Sequence, residues 1–248
     1  MNKNCFFVIP AAGAGTRMGG DIPKIILPIG GIPVIIRTLT TISAFADMHD
    51  DLGVHIIIVT TEDLMPKIKK MCSDSFPDMD IIYTLGGASR TESVYNGIKA
   101  ITDAGDTDAV LIHDGARCLV TAEDIDAVFA GLAGHAVSCS ATPVKDTLKK
   151  VNIKDSGDVI VESTPVREDF YAVQTPQGFR YKELLQCYEH AAANHITATD
   201  DTALAEAVGI EVFLAKGSYS NIKITTPEDI AVAYEIIRSR GELEPFED

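Results

Sequence analysis

The sequence predicts a protein of the α/β class, with a Rossmann-like, mainly parallel sheet, helices on both faces of the sheet and a projecting β-arm. Three observations carry this prediction. Short apolar runs alternate with longer segments of helical period along most of the 248 residues. A glycine-rich segment follows the first apolar run, and one polar stretch interrupts the alternation. Because strand–helix alternation builds parallel sheets that are covered on both faces, ligands are expected beyond the carboxyl ends of the strands.

The apolar runs are predicted to be strands, and the segments of helical period are predicted to be helices. We expect strands at 5–9, 54–60, 80–85, 108–113, 136–144 and 210–215. We expect helices at 33–46, 62–75, 91–102, 121–132, 181–194, 199–208 and 227–239. Thr121 and Thr226 are typical helix N-caps because an acidic residue stands three positions after each, and Pro227 suits a first helical turn. Thr199 is also a suitable N-cap for the segment 199–208.

The polar stretch at about 145–171 is predicted to leave the domain as a β-arm. Its β-like pieces flank a turn at 155–158, whose sequence Asp-Ser-Gly-Asp favours a tight reversal. An exposed two-stranded hairpin is only marginally stable by itself, so we expect the arm to pack on a second subunit. Residues 1–248 are interpreted as a single domain, with the arm as its dimerisation element.

The composition indicates which binding partners and which cellular location to expect. The formal net charge is −15, which disfavours duplex nucleic acid because affinity for a phosphate backbone comes mainly from a basic face. The acidic net charge is still compatible with a small phosphorylated ligand, provided that local cations converge on one cleft. No apolar stretch has the length of a membrane span or the pattern of a signal peptide, so a cytoplasmic location is expected. The five cysteines and six histidines show no disulfide or metal-site spacing.

The segment "IPAAGAGTRMGGDIPK" at 9–24 combines a nearly bare backbone with two cations, Arg17 and Lys24. Backbone amides in such a segment can approach an anion closely, which suits a polyphosphate. The dinucleotide fingerprint fits poorly, because its glycine spacing is off by one, and the P-loop pattern is absent. Arg17 and Lys24 could instead bracket a triphosphate from two sides. Taken alone, a segment of this kind is more typical of a flexible, solvated loop.

Motifs along the chain follow the order typical of one enzyme family. "AAGAGTRM" with the following "PK" resembles the signature loop of nucleotidyltransferases that join a sugar or polyol phosphate to a nucleoside triphosphate. The later motifs are "GGASRTESV", "HDGARCLV", "PVKDTLK", "PVREDFYAVQTPQGF", "TATDDTALAE" and "SNIKITTPEDI". Together they resemble the motif series of the 2-C-methyl-D-erythritol 4-phosphate cytidylyltransferase family over nearly the whole chain.

This resemblance implies a fold, an assembly and a reaction. It implies a Rossmann-like α/β domain with a β-arm that dimerises. It further implies conversion of CTP and 2-C-methyl-D-erythritol 4-phosphate, with Mg²⁺, to the CDP-alcohol and pyrophosphate in the non-mevalonate isoprenoid pathway. Because a phosphate monoester is already ionised near neutral pH, we expect catalysis by positioning and electrostatic stabilisation.

The resemblance also assigns roles to four cations. Arg17 and Lys24 would stabilise the transition state. Lys223 and Arg167 would hold the methylerythritol phosphate, with Arg167 reaching the active site of the other subunit. Taken singly, Lys223 is at least as typical of a solvated lysine at a strand end, and Arg167 of an ion pair on the surface of the arm. Their joint presence in motif context favours the functional roles.

Binding residues follow from the same resemblance. Nucleotide binding is expected from Ala11, Ala12, Gly13, Gly87, Ala88 and Ser93. Polyol phosphate binding is expected from Asp114, Arg117, Thr147, Thr175, Thr199 and Asp200.

Several of these residues also have alternative roles. Asp114 could contact Mg²⁺, or it could have a purely structural role as a loop cap. Ala88 stands where the family often has Asp, so only a main-chain contact would survive there; Ser93 is equally typical of a serine at a helix start. Cys118 stands where the family usually has proline, and His113 is expected to be a packed residue.

Two other functions stay open at this point. A ribitol 5-phosphate cytidylyltransferase would share the glycine-rich loop, the arm and most of the cations, although "TDDTALAE" and "IPAAGAG" favour the methylerythritol enzyme. A non-catalytic nucleotide-binding module would keep the fold without the chemistry. The simultaneous presence of all four cations argues against such a module, because a decayed site would be expected to lose at least one of them.

Overall fold

The computed structural model describes residues 4–13 and 22–243, which form eleven β-strands and seven α-helices. The strands are β1 (Asn4–Pro10), β2 (Pro28–Ile29), β3 (Ile32–Pro33), β4 (Gly53–Thr60), β5 (Ile81–Leu85), β6 (Ala109–Ile112), β7 (Val137–Pro143), β8 (Lys150–Ile153), β9 (Val159–Ser163), β10 (Tyr171–Arg180) and β11 (Val212–Lys216). The helices are α1 (Val34–Asp47), α2 (Met65–Ser75), α3 (Arg90–Lys99), α4 (Ala122–Gly131), α5 (Tyr181–Asn194), α6 (Thr202–Ala207) and α7 (Pro227–Ser239).

The central sheet has the strand order β11-β7-β10-β6-β1-β4-β5. Strand β1 pairs in parallel with β4 and β6, β4 pairs in parallel with β5, and β7 pairs in parallel with β11. Strand β10 is antiparallel to both of its neighbours, β6 and β7. The prediction of a mainly parallel sheet is therefore confirmed.

Helices cover both faces of this sheet, as predicted. Successive side chains of β1 point to opposite faces, which is the alternation that a strand imposes. Phe7 packs in a buried cluster with residues of α1, α2, α4 and α7. Val8 packs in a second cluster with residues of α3, α5 and α6. Both faces of β1 are thus apolar along the middle of the strand.

Strand β10 is absent from the sequence-based prediction, yet it lies inside the sheet. Its Pro176 lacks a backbone N–H, and a proline argues against a central strand. The structure accommodates Pro176 by a shift in register: residues up to Val173 and residues from Gln177 onward pair with β7 in two separate runs. The local pattern therefore hides a strand that only its two neighbours specify.

The helix starts are partly confirmed. Thr121 forms a reciprocal capping box with Asp124 at the start of α4, and Thr226 does the same with Asp229 at the start of α7. The N-cap prediction for Thr199 is wrong, because α6 begins only at Thr202. The amide of Ala203 donates instead to the carboxylate of Asp200 at 3.1 Å, so an acidic side chain takes the place of the expected hydroxyl.

The segment at 145–171 contains the predicted β-arm. Strands β8 and β9 form a separate antiparallel hairpin whose turn closes with a hydrogen bond of 2.8 Å from the amide of Gly157 to the carbonyl of Lys154. Gly157 has φ +86, a conformation that favours glycine. The hairpin is exposed along its whole length, including the apolar side chains of Ile153 and Val159 at 70% and 60%. The packing of this hairpin on a second subunit stays a prediction.

No helix within residues 4–13 and 22–243 has both the length and the apolar character that crossing a bilayer requires.

Candidate active site

A cavity of about 370 Å³, here called the first cavity, opens where β1, β5 and β6 end. Its walls come from the segments that follow these three strands, together with two lysines that are distant in sequence. The lining residues are Pro10, Ala11, Ala12, Gly13, Lys24, Ile25, Gly87, Ala88, Ser89, Arg90, Ser93, Asp114, Ala116 and Lys223. Because the carboxyl ends of parallel strands meet at one edge of a sheet, this is the place where α/β folds bind ligands.

One wall of the first cavity consists mainly of backbone. Gly86 is needed there because a Cβ atom would lie 2.8 Å from the Cβ of Ala12 and 3.0 Å from Oγ of Ser93. Ser93 Oγ accepts a hydrogen bond of 3.0 Å from the amide of Gly87 and donates one of 2.8 Å to the carbonyl of Ser89. Ser89 is the N-cap of α3, so Ser93 lies one turn inside the helix and not at its start. Ser93 therefore orders the backbone that faces the cavity.

Ala88 also belongs to this wall, and its main-chain amide is a hydrogen-bond donor there. It donates a hydrogen bond of 2.7 Å to the exposed carboxylate of Glu92. A ligand acceptor could replace this carboxylate without any side chain at position 88. The departure of Ala88 from the aspartate that is frequent in the resembling family thus leaves the main-chain donor intact.

Asp114 is the charged centre of the site. Its Oδ1 accepts from Nε and Nη2 of Arg90 at 3.3 and 3.2 Å, and its Oδ2 accepts from Nζ of Lys223 at 2.6 Å. Burial opposes ionisation of Asp114, but Arg90 and Lys223 outweigh it and hold the pKa of Asp114 well below its usual range. Asp114 is therefore ionised at neutral pH and pairs with two cations.

Thr175 holds the backbone of Asp114, and His113 in turn orients the hydroxyl of Thr175. His113 Nε2 lies 3.2 Å from the carbonyl of Arg117, which can only accept, so Nδ1 is the acceptor of the hydroxyl of Thr175 at 3.1 Å. Thr175 Oγ1 in turn accepts from the amide of Asp114 at 3.0 Å. His113 is completely buried, which confirms that it is a packed residue. The hydroxyl of Thr175 is thereby engaged in positioning Asp114.

His113 makes the stability of the fold depend on pH. Burial lowers the pKa of His113 from 6.5 to about 4. As pH falls below the pKa of the unfolded state, the unfolded chain takes up a proton that the native chain resists, so native stability is lost between these two values. From pH 7 to about pH 4.5 we expect this residue to lower the free energy of unfolding by about 2 kcal/mol.

Urea denaturation of the wild type and of His113→Gln at both pH values measures this effect. Other titrating groups are common to the two chains and cancel in the difference. The variant should be less stable at pH 7 but should lose about 2 kcal/mol less on acidification. An equal loss in both chains would show that His113 is not the group responsible.

A second cavity of about 530 Å³ adjoins the first. Both cavities are lined by Arg90, Asp114 and Lys223, so they meet at these three charges. The other lining residues are Arg117, Tyr171, Val173, Gln174, Thr175, Gln177, Thr199, Asp200, Thr202, Ala203 and Glu206. Buried Nε of Arg117 has no hydrogen-bond partner within the described ranges, while its Nη1 donates to the carbonyl of Asn221 at 2.7 Å. Arg117 thus adds a third cation to the lining of the second cavity, beside Arg90 and Lys223.

The predicted catalytic cations are only partly brought together. Lys24 and Lys223 line the same cavity, and Nζ of Lys24 lies 3.3 Å from the carbonyl of Ile224. Arg17 falls in 14–21, outside the described residues. Arg167 and Thr147 lie at the base of the arm, are exposed, and line neither cavity. Arg167 Nη1 instead donates to the carbonyl of Lys145 at 2.9 Å.

Arg90 lines both cavities, although the sequence analysis gave it no role. It belongs to the motif "GGASRTESV" and is the first residue of α3. A cation in the first turn of a helix opposes the helix dipole, so an arginine there suggests nearby carboxylates. The sequence held this signal, but not the identity of the partners, Asp114 and Asp201.

Metal binding by side chains alone has little support in the described part of the chain. No group of three or more His, Cys, Asp or Glu residues there could hold an ion. Asp114 is the one carboxylate among the described residues that line the first cavity. The metal role of Asp114 stays a prediction.

Two adjoining cavities that share Arg90 and Lys223 point to a class of protein. A backbone-lined cavity with two lysines can hold a polyphosphate, and a second cavity with a buried arginine can hold another anion beside it. This is the arrangement of a nucleotidyltransferase, in which two phosphorylated substrates react with each other.

Residues 5–239 match the model of the family described as IspD, 2-C-methyl-D-erythritol 4-phosphate cytidylyltransferase. The chain belongs to this family. Curated proteins of that name from Desulforamulus reducens and from Nostoc sp. are 39% and 38% identical to it over 96% and 95% of its length, and over 97% and 98% of their own. The resemblance drawn from the motifs is confirmed.

Solved structures support the same assignment. The crystal structure of 4-diphosphocytidyl-2C-methyl-D-erythritol synthase from Anaerococcus prevotii has a TM-score of 0.79 and 33% identity, covering 95% of this chain and 99% of that one. The 2-C-methyl-D-erythritol 4-phosphate cytidylyltransferase of Thermus thermophilus has a TM-score of 0.72 and 27% identity, covering 96% and 100%. The predicted fold class is therefore confirmed by comparison as well as by topology.

Proposed function

We propose that this chain transfers the cytidylyl group of CTP to 2-C-methyl-D-erythritol 4-phosphate, with pyrophosphate as the second product, in the non-mevalonate isoprenoid pathway. The observation that carries the proposal is the sharing of Arg90, Asp114 and Lys223 by the two cavities. Two anionic substrates that occupy adjoining cavities bring an attacking phosphate oxygen close to the α-phosphorus of the nucleotide. Such proximity supplies a large part of the rate enhancement.

The first cavity suits the nucleotide. The backbone of Ala11, Ala12 and Gly13 would approach the phosphates and the sugar, and the amides of Gly87 and Ala88 would face the cytosine edge. Lys24 would neutralise the triphosphate, together with Arg17 from the segment that lies outside the described residues. Negative charge grows on the α-phosphate and on the departing pyrophosphate, so these cations stabilise the transition state more than the ground state.

The second cavity suits the polyol phosphate. Arg117 and Lys223 would bind its phosphate, while Thr199 and Asp200 would bind its hydroxyl groups. An oxygen of this phosphate attacks the α-phosphorus, the bond from the α-phosphorus to the β-bridging oxygen breaks, and the electron pair leaves with pyrophosphate. The attacking oxygen carries no proton near neutral pH, so no general base is required.

Mg²⁺ is proposed to enter with the triphosphate. A Mg²⁺ ion usually keeps several waters and binds through one or two carboxylates plus substrate phosphates. This fits the first cavity, where Asp114 is the one carboxylate among the described lining residues. The ion would neutralise charge that develops on the phosphates and on the leaving group.

A homodimer is proposed for the assembly. The apolar side chains of the arm are exposed in the single chain, and two predicted site residues, Thr147 and Arg167, lie at the base of the arm outside both cavities. A second copy would cover the arm and would receive Arg167 in its second cavity. The cytoplasmic location expected from the sequence stays a prediction.

Pyrophosphate release across four nucleotides and two polyol phosphates tests the proposed reaction. We expect CTP with 2-C-methyl-D-erythritol 4-phosphate to exceed every other pair by about a hundredfold, because a site built for one hydrogen-bonding pattern leaves polar groups unpaired with another. Faster turnover of ribitol 5-phosphate would change the substrate assignment. The absence of release with every pair, while CTP still binds, would favour a non-catalytic module.

A further inference from the structure

Asp201 is a buried carboxylate behind the second cavity. It is 1% exposed and lines neither cavity. Its two oxygens accept from Nη1 and Nη2 of Arg90 at 2.9 and 2.8 Å, and Oδ1 also accepts a hydrogen bond from the hydroxyl of Tyr188. A buried carboxylate needs such partners, because an unpaired charge in the interior is strongly unfavourable. Nothing in the proposed reaction uses Asp201 directly.

Asp201 joins three separate elements. Arg90 begins α3, Tyr188 lies in the middle of α5, and Asp201 itself precedes α6. Tyr188 is completely buried, and burial raises its pKa well above the ordinary value, so its hydroxyl remains a donor. Asp201, Arg90 and Tyr188 therefore connect the starts of α3 and α6 with the middle of α5.

The segment 199–203 depends on this connection. Gln177 holds the segment through its main chain, since Oε1 accepts from the amides of Asp201 and Thr202 at 2.8 and 3.1 Å. Arg90 holds it through the side chain of Asp201. Thr199, Asp200 and Thr202 line the second cavity, and none of them lines the first. Arg90 lines both cavities, but the segment lines only the second, so loss of the anchor at Asp201 should disturb the second cavity more than the first.

Arg90 is itself committed to this network. Of the five N–H groups of a guanidinium, Arg90 uses four, two toward Asp201 and two toward Asp114. Lys223, in contrast, holds Asp114 through a single ammonium group and is about one-third exposed. An incoming phosphate can therefore recruit Lys223 while Arg90 keeps Asp114 in place.

We propose that Asp201, supported by Tyr188, is a positioning residue that fixes Arg90 and the segment 199–203 and thereby affects the affinity for the polyol phosphate much more than the affinity for CTP. This inference rests on the proposed function, because it names the cavity that each substrate occupies. It assigns no contact between Asp201 and either substrate.

Asp201→Asn tests the inference with two substrates measured separately. We expect KM for 2-C-methyl-D-erythritol 4-phosphate to rise about tenfold, because the ion pair with Arg90 becomes a weaker contact between the guanidinium and a neutral amide. The Kd for CTP, measured by calorimetry without the second substrate, should change less than about twofold. Tyr188→Phe keeps the ring and the carboxylate, so it should raise the same KM by a smaller factor and serves if the first variant folds poorly.

Asp74→Asn is the matched control, since Asp74 pairs with Lys70 on the exposed face of α2 and the change removes the same charge. It should leave KM and Kd unchanged. An unchanged KM in Asp201→Asn, or a parallel rise in KM and in Kd for CTP, would overturn the inference.

Amide hydrogen exchange separates this inference from the proposed function. The segment 199–203 should exchange faster in Asp201→Asn than in the wild type, whereas the Asp74 control should not differ. A wild type that releases no pyrophosphate would refute the proposed function alone. Unchanged exchange in the segment would refute the positioning role whatever the activity.

Discussion

Lys24→Ala is expected to lower the rate of pyrophosphate release about 10²–10³-fold, while CTP still binds with reduced affinity. Lys24 lines the first cavity on the side where the triphosphate is proposed to lie. Its charge acts on phosphates in the ground state, but it acts more strongly when negative charge accumulates on the leaving pyrophosphate. Steady-state pyrophosphate release and calorimetric titration with CTP measure the two effects separately.

Lys70→Ala is the control for this experiment. Lys70 is an exposed lysine that pairs with Asp74 on α2, away from both cavities. Its removal changes the net charge by the same amount and should leave turnover and CTP affinity as they are. Unchanged turnover in Lys24→Ala would refute the role of Lys24, and a complete loss of CTP binding would indicate that it serves binding and not the chemical step.

Arg167→Ala is expected to be almost inactive alone and to recover activity when it is mixed with Lys24→Ala. If Arg167 serves the partner's site, a mixed dimer contains one site with an intact Lys24 and an intact Arg167. Random reassortment of equal amounts should then restore about a quarter of the wild-type rate. The geometry that motivates this prediction is the position of Arg167 at the base of the arm, outside the cavities of its own chain.

Differently tagged chains and sedimentation provide the controls for the mixing experiment. Copurification of the two tags shows that subunits have exchanged. Arg238→Ala, which removes an exposed arginine paired with Glu235 on α7, should retain full activity alone. Exchange without recovery would show that Arg167 does not act across the interface, and a stable, fully active monomer would contradict the dimer itself.

Local sequence patterns were sufficient for most of the fold. Helices α5 and α7 have the predicted bounds, because their apolar period and, for α7, the capping residues agree with each other. Strand β10 could not be predicted in this way. Its Pro176 contradicts the pattern of a central strand. The strand forms because β7 pairs with it on both sides of the register shift and β6 pairs with it from Gln177 onward.

The candidate site also contains both residues that the sequence identifies and contacts that only folding creates. Lys24, Lys223 and Asp114 come from motifs that the sequence displays, and the structure places them around one cavity. The partnership of Arg90 with Asp201 spans 111 positions, so no local pattern contains it. The engagement of Thr175 beneath Asp114 is equally remote in sequence.

The sequence by itself determined the α/β class, the exposed arm and the family, because periodicity, turn residues and ordered motifs are local properties of the chain. The tertiary structure alone decided which charges meet. Arg90 is shared by two buried carboxylates, and Asp114 is shared by two cations, because folding brings the ends of separate strands and helices to one edge of the sheet. Electrostatic attraction depends on the distance between charges and on their burial, and local sequence patterns determine neither quantity.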